Sequence, residues 1–249
     1  MPKDISQLKT LLLQIRHDEQ VKREEHNSFI NYSGLKYEQI DVLNVYENTN
    51  FNFDIVDSYD GLFVGGTSNA NVLEPQKFPF VNKCQDMMKY CLDHDIPVFA
   101  SCFGFQLAVQ ALGGEILHKE KDFEMGILPM KLSDAAKKDI LYKDTPDNFK
   151  AITVHQQFAR HEPSECTLLA YTNECCHSFK VSSRPFWAFQ FHPEVDKQVL
   201  IDRLTLYKKK YTEDDGHLER ILATAEETPE SNILVKKFVD RVLCNTNEV

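Results

Sequence analysis

The chain has 249 residues, enough for one large domain or a domain with a small extension, and its 42% hydrophobic content can bury a sizeable core. A net charge of −10, with dispersed acidic residues and no Lys/Arg-rich block, argues against nucleic acid or an anionic membrane as partner. No apolar run reaches membrane-spanning length, Met1-Pro2-Lys3-Asp4 lacks a signal-peptide pattern, and seven cysteines without a framework suit reduced thiols in the cytoplasm.

In chain order, Leu8 to Ile15 reads as a first buried strand. Asp18 to Asn27 is rich in Glu, Lys and Arg, which predicts a helix ending near Ser33-Gly34. Gln39 to Val45 alternates and predicts a second strand. Strand, helix and strand in this order form a βαβ unit, and that implies a parallel sheet. Leu62-Phe63-Val64 predicts a further buried strand, and Gly65-Gly66 opens a loop at its carboxyl end, where open α/β sheets carry their sites. Phe80 to His94 predicts an amphipathic helix with Val81, Cys84, Met87, Met88 and Cys91 on its core face.

Pro97 to Ala100 predicts another buried strand. After Gly104, apolar residues at Phe105, Leu107, Ala108, Val109, Ala111 and Leu112 predict a buried helix ended by Gly113-Gly114. Cys102 therefore falls at a strand-to-helix corner. Such a corner lifts a nucleophile out of the sheet and sets it at a helix N-terminus, where partial positive charge favours thiolate.

Ile127 to Leu132 predicts a strand, and Asp134 to Leu141 a solvated helix or turn. Ala151 to Gln157 predicts a strand end carrying His155. Thr167 to Tyr171 and Cys176 to Val181 predict antiparallel strands feeding an aromatic strand, Phe186 to Phe191. His177 reads as incidental, Cys175-Cys176 as structural or incidental, and no His/Cys cluster has zinc spacing. His192 and Glu194 follow the aromatic strand. Residues two apart on an extended chain point to one side, so His192 can face a thiol while Glu194 orients its imidazole. His155 competes for the role of base, but nothing acidic sits beside it in sequence. Val199 to Lys208 predicts a helix with Leu200, Leu204 and Tyr207 on its apolar face. Lys208-Lys209-Lys210 is too short for a nucleic-acid patch, and Tyr211 to Gly216 reads as an acidic loop. Pro229, with Ser231 as N-cap, precedes an apolar helical stripe from Ile233 to Leu243. Residues 1–197 then form the main domain, and 198–249 a helical extension packed on it or used as a dimer contact.

The elbow Ala100-Ser101-Cys102-Phe103-Gly104-Phe105-Gln106 and the segment Gln190-Phe191-His192-Pro193-Glu194 together resemble the class I (triad-type) glutamine amidotransferases. Their signatures are Gly-x-Cys-x-Gly-x-Gln and Gln-x-His-Pro-Glu, so Ala100 stands where the family usually has glycine. The chain looks like a stand-alone relative of the GMP-synthase glutaminase. The resemblance implies an α/β fold with an open, doubly wound, mostly parallel but mixed sheet and flanking helices. It implies a Cys102–His192–Glu194 triad that hydrolyses the side-chain amide of L-glutamine through a γ-glutamyl thioester, without metal or organic cofactor. Oxyanion donors are expected from Phe103 and from the Gly65-Gly66 loop. Here that loop reads Gly-Gly-Thr-Ser-Asn instead of the family's Gly-Gly-Pro-Gly-Ser. Gln106, Glu124, His155 and Gln156 are the expected substrate contacts. The ammonia would be released or passed to a separate acceptor synthase. Two other readings share these residues: a γ-glutamyl peptidase of the same fold, and a non-catalytic or partner-activated binding protein.

Overall fold

Short apolar runs become strands, and longer segments with helical periodicity, among them the largely apolar stretch after Cys102, become the covering helices. The computed structural model describes residues 2–121, 123–207 and 215–245. Strand β1, Thr10–Gln14, leads into α1, Glu19–Ser33, where the Asp18 carboxylate accepts the N–H groups of Gln20 and Val21. There follow β2 (Ile40–Asn44), β3 (Gly61–Val64), α2 (Phe80–Asp93), β4 (Val98–Ser101) and α3 (Phe103–Ala111). The second half is richer in strands: β5 (Leu117–His118), β6 (Glu124–Leu132), β7 (Phe149–His155), β8 (Gln157–Phe158), β9 (Cys166–Tyr171), β10 (Cys176–Val181) and β11 (Phe186–Phe189). Helices α4 (Lys197–Leu206), α5 (Asp215–Thr224) and α6 (Pro229–Lys237) close the described chain, and α6 runs into a π-helical turn, Phe238–Leu243.

Nine strands form one sheet in the order β2-β1-β3-β4-β11-β10-β9-β6-β7. The run from β2 to β11 is parallel, and the run from β11 to β7 is antiparallel. This is the expected mixed α/β sheet. Strand alternation divides the core between its two faces. Leu11 and Leu13 pack with the α2 and α3 side chains, whereas Leu12, Phe63 and Phe99 pack with α1 and α6. The second layer is aromatic. The Phe238 ring lies 5.9 Å from Phe63, 5.4 Å from Phe99 and 6.1 Å from Trp187, centroid to centroid. Asp144 fastens the same segment from outside, accepting two hydrogen bonds from Arg241 at 3.0 and 2.8 Å and pairing with Lys237 at 2.7 Å.

Several boundaries differ from expectation. The aromatic strand stops at Phe189, because Gln190 to Glu194 turns away from the sheet, so His192 and Glu194 sit in the loop beyond it. Asp134 to Leu141 is not simply solvated. Ala136 and Leu141 are buried, and the Asp139 carboxylate accepts the Trp187 indole N–H at 3.0 Å. Thr228, not Ser231, is the N-cap of α6, because Pro229 takes the first helical position, where its missing N–H is no loss. Helix α4 ends at Leu206. Lys208-Lys209-Lys210 and residues 211–214 of the expected acidic loop lie outside the described residues, while Asp215 and Gly216 open α5.

Phe238 is fully buried among aromatic rings, so truncation leaves a cavity that rigid neighbours cannot fill. Phe238→Ala is expected to lower the unfolding free energy by about 3–5 kcal/mol, read from urea denaturation. A loss below about 1 kcal/mol would mean that the C-terminal segment is not part of the core.

Candidate active site

The carboxyl ends of β1, β3, β4 and β11 meet where ligands bind in open α/β sheets. Cys102 occupies the corner between β4 and α3 with φ 51° and ψ −100°, a backbone region that side chains rarely adopt. Strain of this kind costs about 1–3 kcal/mol and persists only where surrounding contacts fix it. Here the Cys102 N–H donates to the Phe189 carbonyl at 2.7 Å, and the Cys102 carbonyl accepts the Gln106 N–H at 3.1 Å. Gly104 lets α3 approach β3 closely, since a β-carbon there would lie 2.9 Å from the Val64 carbonyl oxygen and 3.0 Å from its side chain. Phe103, at the first helical position, has an amide with no intrahelical acceptor.

The His192 ring comes beside Cys102 from the loop after β11, and both border Gly66. Its Nδ1 is 2.7 Å from Glu194 Oε1, and all three side chains are buried. Burial opposes a charge on His192, but the Cys102 thiolate and Glu194 outweigh it and raise the imidazole to about 9. Burial likewise opposes charge on Glu194, yet His192, and more weakly Arg203, keep its carboxyl below the usual range. The three expected residues are thus brought together. They can hold a thiolate beside an imidazolium whose orientation the carboxylate fixes.

Gly66 lies directly over this group. A β-carbon on it would sit 2.8 Å from Arg16 Nη2, 3.1 Å from His192 Cε1 and 3.5 Å from the Cys102 β-carbon. The loop amides point elsewhere, however. Gly65 N–H donates to the Leu13 carbonyl at 3.2 Å, and Gly66 N–H to Glu25 Oε1 at 3.2 Å. Of the expected oxyanion donors, Gly65 and Gly66 thus have amides engaged within the protein, whereas the Phe103 amide has no intrahelical acceptor.

Cys102, Phe103, Gln106, His155 and Gln156 line one cleft together with Thr67 and Ser68. Gln106 is anchored there by donating from Nε2 to the Gln157 carbonyl at 3.0 Å. Glu124 does not line it. That side chain borders a separate cleft with Phe123 and Cys175, and His155 reaches both. Burial lowers the proton affinity of His155, favouring its neutral form.

Sequence reasoning missed Arg16 and its partners. The Arg16–Glu25 pair is almost wholly buried at 2.8 Å, and Arg16 Nη1 donates to Ser68 Oγ at 3.0 Å. Arg16 Nη2 is buried with no hydrogen-bond partner among the described residues. A second cleft, lined by Arg16, His192 and Arg203, adjoins the first at Thr67, Ser68 and Val154. The available signal was position, since Arg16 follows the first buried strand at its carboxyl end.

Residues 27–204 match the family model described as glutamine amidotransferase class-I. The chain is 25% identical over 223 residues to "Gamma-glutamyl peptidase 4" of Arabidopsis thaliana, covering 88% of this chain and 86% of that one. It is 30% identical over 109 residues to "GMP synthase [glutamine-hydrolyzing]" of Borreliella burgdorferi, a match covering 44% of this chain and only 21% of that longer protein. The fold is similar to the crystal structure of a glutamine amidotransferase from Thermotoga maritima, with a TM-score of 0.76 at 16% identity over 96% of this chain and 99% of that one.

The raised proton affinity of His192 gives a direct check. The imidazole is expected to stay protonated through neutral pH and to titrate near pH 9 by histidine NMR, because its partners favour the charged form. Glu194→Gln removes one of those partners, so the titration should move to lower pH. A wild-type midpoint at or below the ordinary value of about 6.5 would contradict the assignment.

Proposed function

The chain belongs to the class I glutamine amidotransferase family, and from that premise we propose that it is a cysteine hydrolase that cleaves a γ-glutamyl amide bond. The observation that carries this reading is Cys102 in its left-handed corner beside the His192–Glu194 pair. The Cys102 thiolate attacks the side-chain carbonyl carbon of the substrate. The Phe103 N–H stabilises the oxyanion, a donor worth roughly 3 kcal/mol of barrier. The His192 imidazolium gives its proton to the departing nitrogen, leaving a γ-glutamyl thioester on Cys102. Neutral His192 then takes a proton from water, which attacks the thioester and releases glutamate. Glu194 keeps Nδ1 protonated and the ring aimed at the thiol throughout. Gln106, Gln156 and His155 face the substrate's glutamyl portion in this reading.

L-Glutamine is the simplest substrate, with ammonia leaving to solvent or to a separate acceptor synthase. A specific observation favours the larger γ-glutamyl peptides as a second reading. The cleft holding Arg16 and Arg203 opens on the His192 side of the thiol, where the leaving group must depart. Arg16 Nη2 is an unsatisfied cationic donor there, suited to a leaving group that carries a carboxylate. All seven cysteines are unpaired, and a catalytic thiol of this kind works in a reducing, cytoplasm-like compartment. No helix among the described residues is long and apolar enough to cross a membrane.

Glutamate release should be measured from L-glutamine and from γ-glutamyl dipeptides. Release is expected to fall at least about a thousandfold in Cys102→Ala. A preference for dipeptides would select the peptidase reading, and a preference for glutamine the glutaminase. Undiminished release in Cys102→Ala would sink both.

A further inference from the structure

Outside the triad, the described residues hold another convergence of reactive side chains. Glu124 opens β6 and His155 ends β7, and the two are direct cross-strand partners. Cys175 lies in the turn between β9 and β10, and His177 is on β10. Folding therefore gathers at one point ligand atoms from both hairpins. One donor atom from each of the four residues lies within 4.8 Å of every other. Glu124 Oε2 is 2.7 Å from His177 Nε2, 3.2 Å from His155 Nε2 and 3.2 Å from Cys175 Sγ, and Cys175 Sγ is 3.4 Å from His177 Nε2.

An internal hydrogen-bond cluster accounts for only part of this. His155 Nε2 lies 3.2 Å from Glu124 Oε2 without alignment for a hydrogen bond, and His155 Nδ1 has no hydrogen-bond partner among the described residues. His177 Nδ1 is likewise unpartnered there. Both rings are more than nine-tenths buried, as is Cys175. A cation at the centre would use the nitrogen lone pair of His155 that now faces an oxygen. Bond lengths of about 2.0–2.3 Å to Zn²⁺ place tetrahedral ligand atoms about 3.3–3.8 Å apart, so the pairs now at 2.7 to 3.4 Å need only a small expansion.

We propose that Glu124, His155, Cys175 and His177 form a four-coordinate site for a zinc ion that staples the β6–β7 hairpin to the β9–β10 hairpin. The ligands are one thiolate, two imidazoles and one carboxylate, a borderline-soft set that suits Zn²⁺ rather than Mg²⁺ or Ca²⁺. On binding, Cys175 loses its thiol proton to solvent while both histidines bind as neutral rings. Two anionic ligands then offset the dication, so the buried site carries no net charge. Thr172 Oγ1 donates to Glu124 Oε1 at 2.8 Å, fixing the carboxylate from behind. The cleft bordered by Phe123 and Phe158 leads from solvent to Glu124, His155 and Cys175. Because His155 also lines the Cys102 cleft, the metal would hold one wall of the substrate pocket rigid.

The test uses the full chain with Cys102→Ser, which removes the thiol most able to compete for metal. Chelator-treated protein titrated with Zn²⁺ against a chromogenic competitor is expected to bind one equivalent, release a proton and melt at higher temperature. Co²⁺ in its place should give a thiolate charge-transfer band and intense tetrahedral d–d bands. Thr172→Val should weaken zinc binding by about 10–100-fold, and Cys175→Ser with His177→Asn should abolish the stoichiometric site. Less than one tight equivalent, a cobalt form without the thiolate band, or full binding by the double variant would each overturn the proposal. The cobalt spectrum and the Thr172→Val measurement decide the matter even if the double variant does not fold.

Discussion

Everything at this site depends on the forced backbone of Cys102. A β-carbon in the left-handed region is strained, and the strain is tolerated because both flanks of the corner are immobilised. On one side the Cys102 N–H is tied to Phe189 of β11. On the other, α3 lies so close to β3 that only glycine fits at position 104. The thiol is therefore lifted from the sheet by packing, not by any interaction of its own. The bond to β11 has a second effect, because the strand that fixes the corner also delivers His192 three residues beyond Phe189.

The electrostatics follow from that burial. His192, Glu194, Arg16 and Glu25 are all buried, and in such surroundings an unpaired charge is costly and a paired one strongly directional. His192 and Glu194 pair within one loop, whereas both arginines draw their partners from α1, which supplies Glu25 to Arg16 and Glu24 to Arg203 of α4 at 2.7 Å. Gly66 is held in this network by its N–H to Glu25. The Gly66 amide is thus engaged with Glu25, while the Phe103 amide at the start of α3 has no intrahelical acceptor. Through Glu25, the Gly66 loop over the thiol is joined to Arg16 and so to the adjoining arginine-lined cleft.

The parallel half of the fold was legible because it is written in local signals. Buried apolar runs, an aspartate before α1 and glycines after strands need no distant information. Cys102, His192 and Glu194 were legible because an elbow and a His-Pro-Glu turn each carry their geometry within a few residues. What escaped was long-range or depended on burial. Arg16 and Glu25 look like ordinary surface charges until α1 folds over β1. Glu124, His155, Cys175 and His177 are scattered over more than fifty positions, and only the two hairpins bring them together. The directions of the Gly65 and Gly66 amides were equally unreadable, since a single peptide rotation reverses an amide and the acceptors that decide it lie on β1 and α1.

The central claim is that Cys102 forms a γ-glutamyl thioester. The most direct measurement is mass spectrometry of protein quenched during turnover with glutamine or a γ-glutamyl dipeptide, followed by peptide mapping. The account predicts one γ-glutamyl group on the peptide that bears Cys102. A γ-glutamyl group on Cys175 or any other residue, or turnover with no covalent adduct under conditions that trap thioesters, would contradict it.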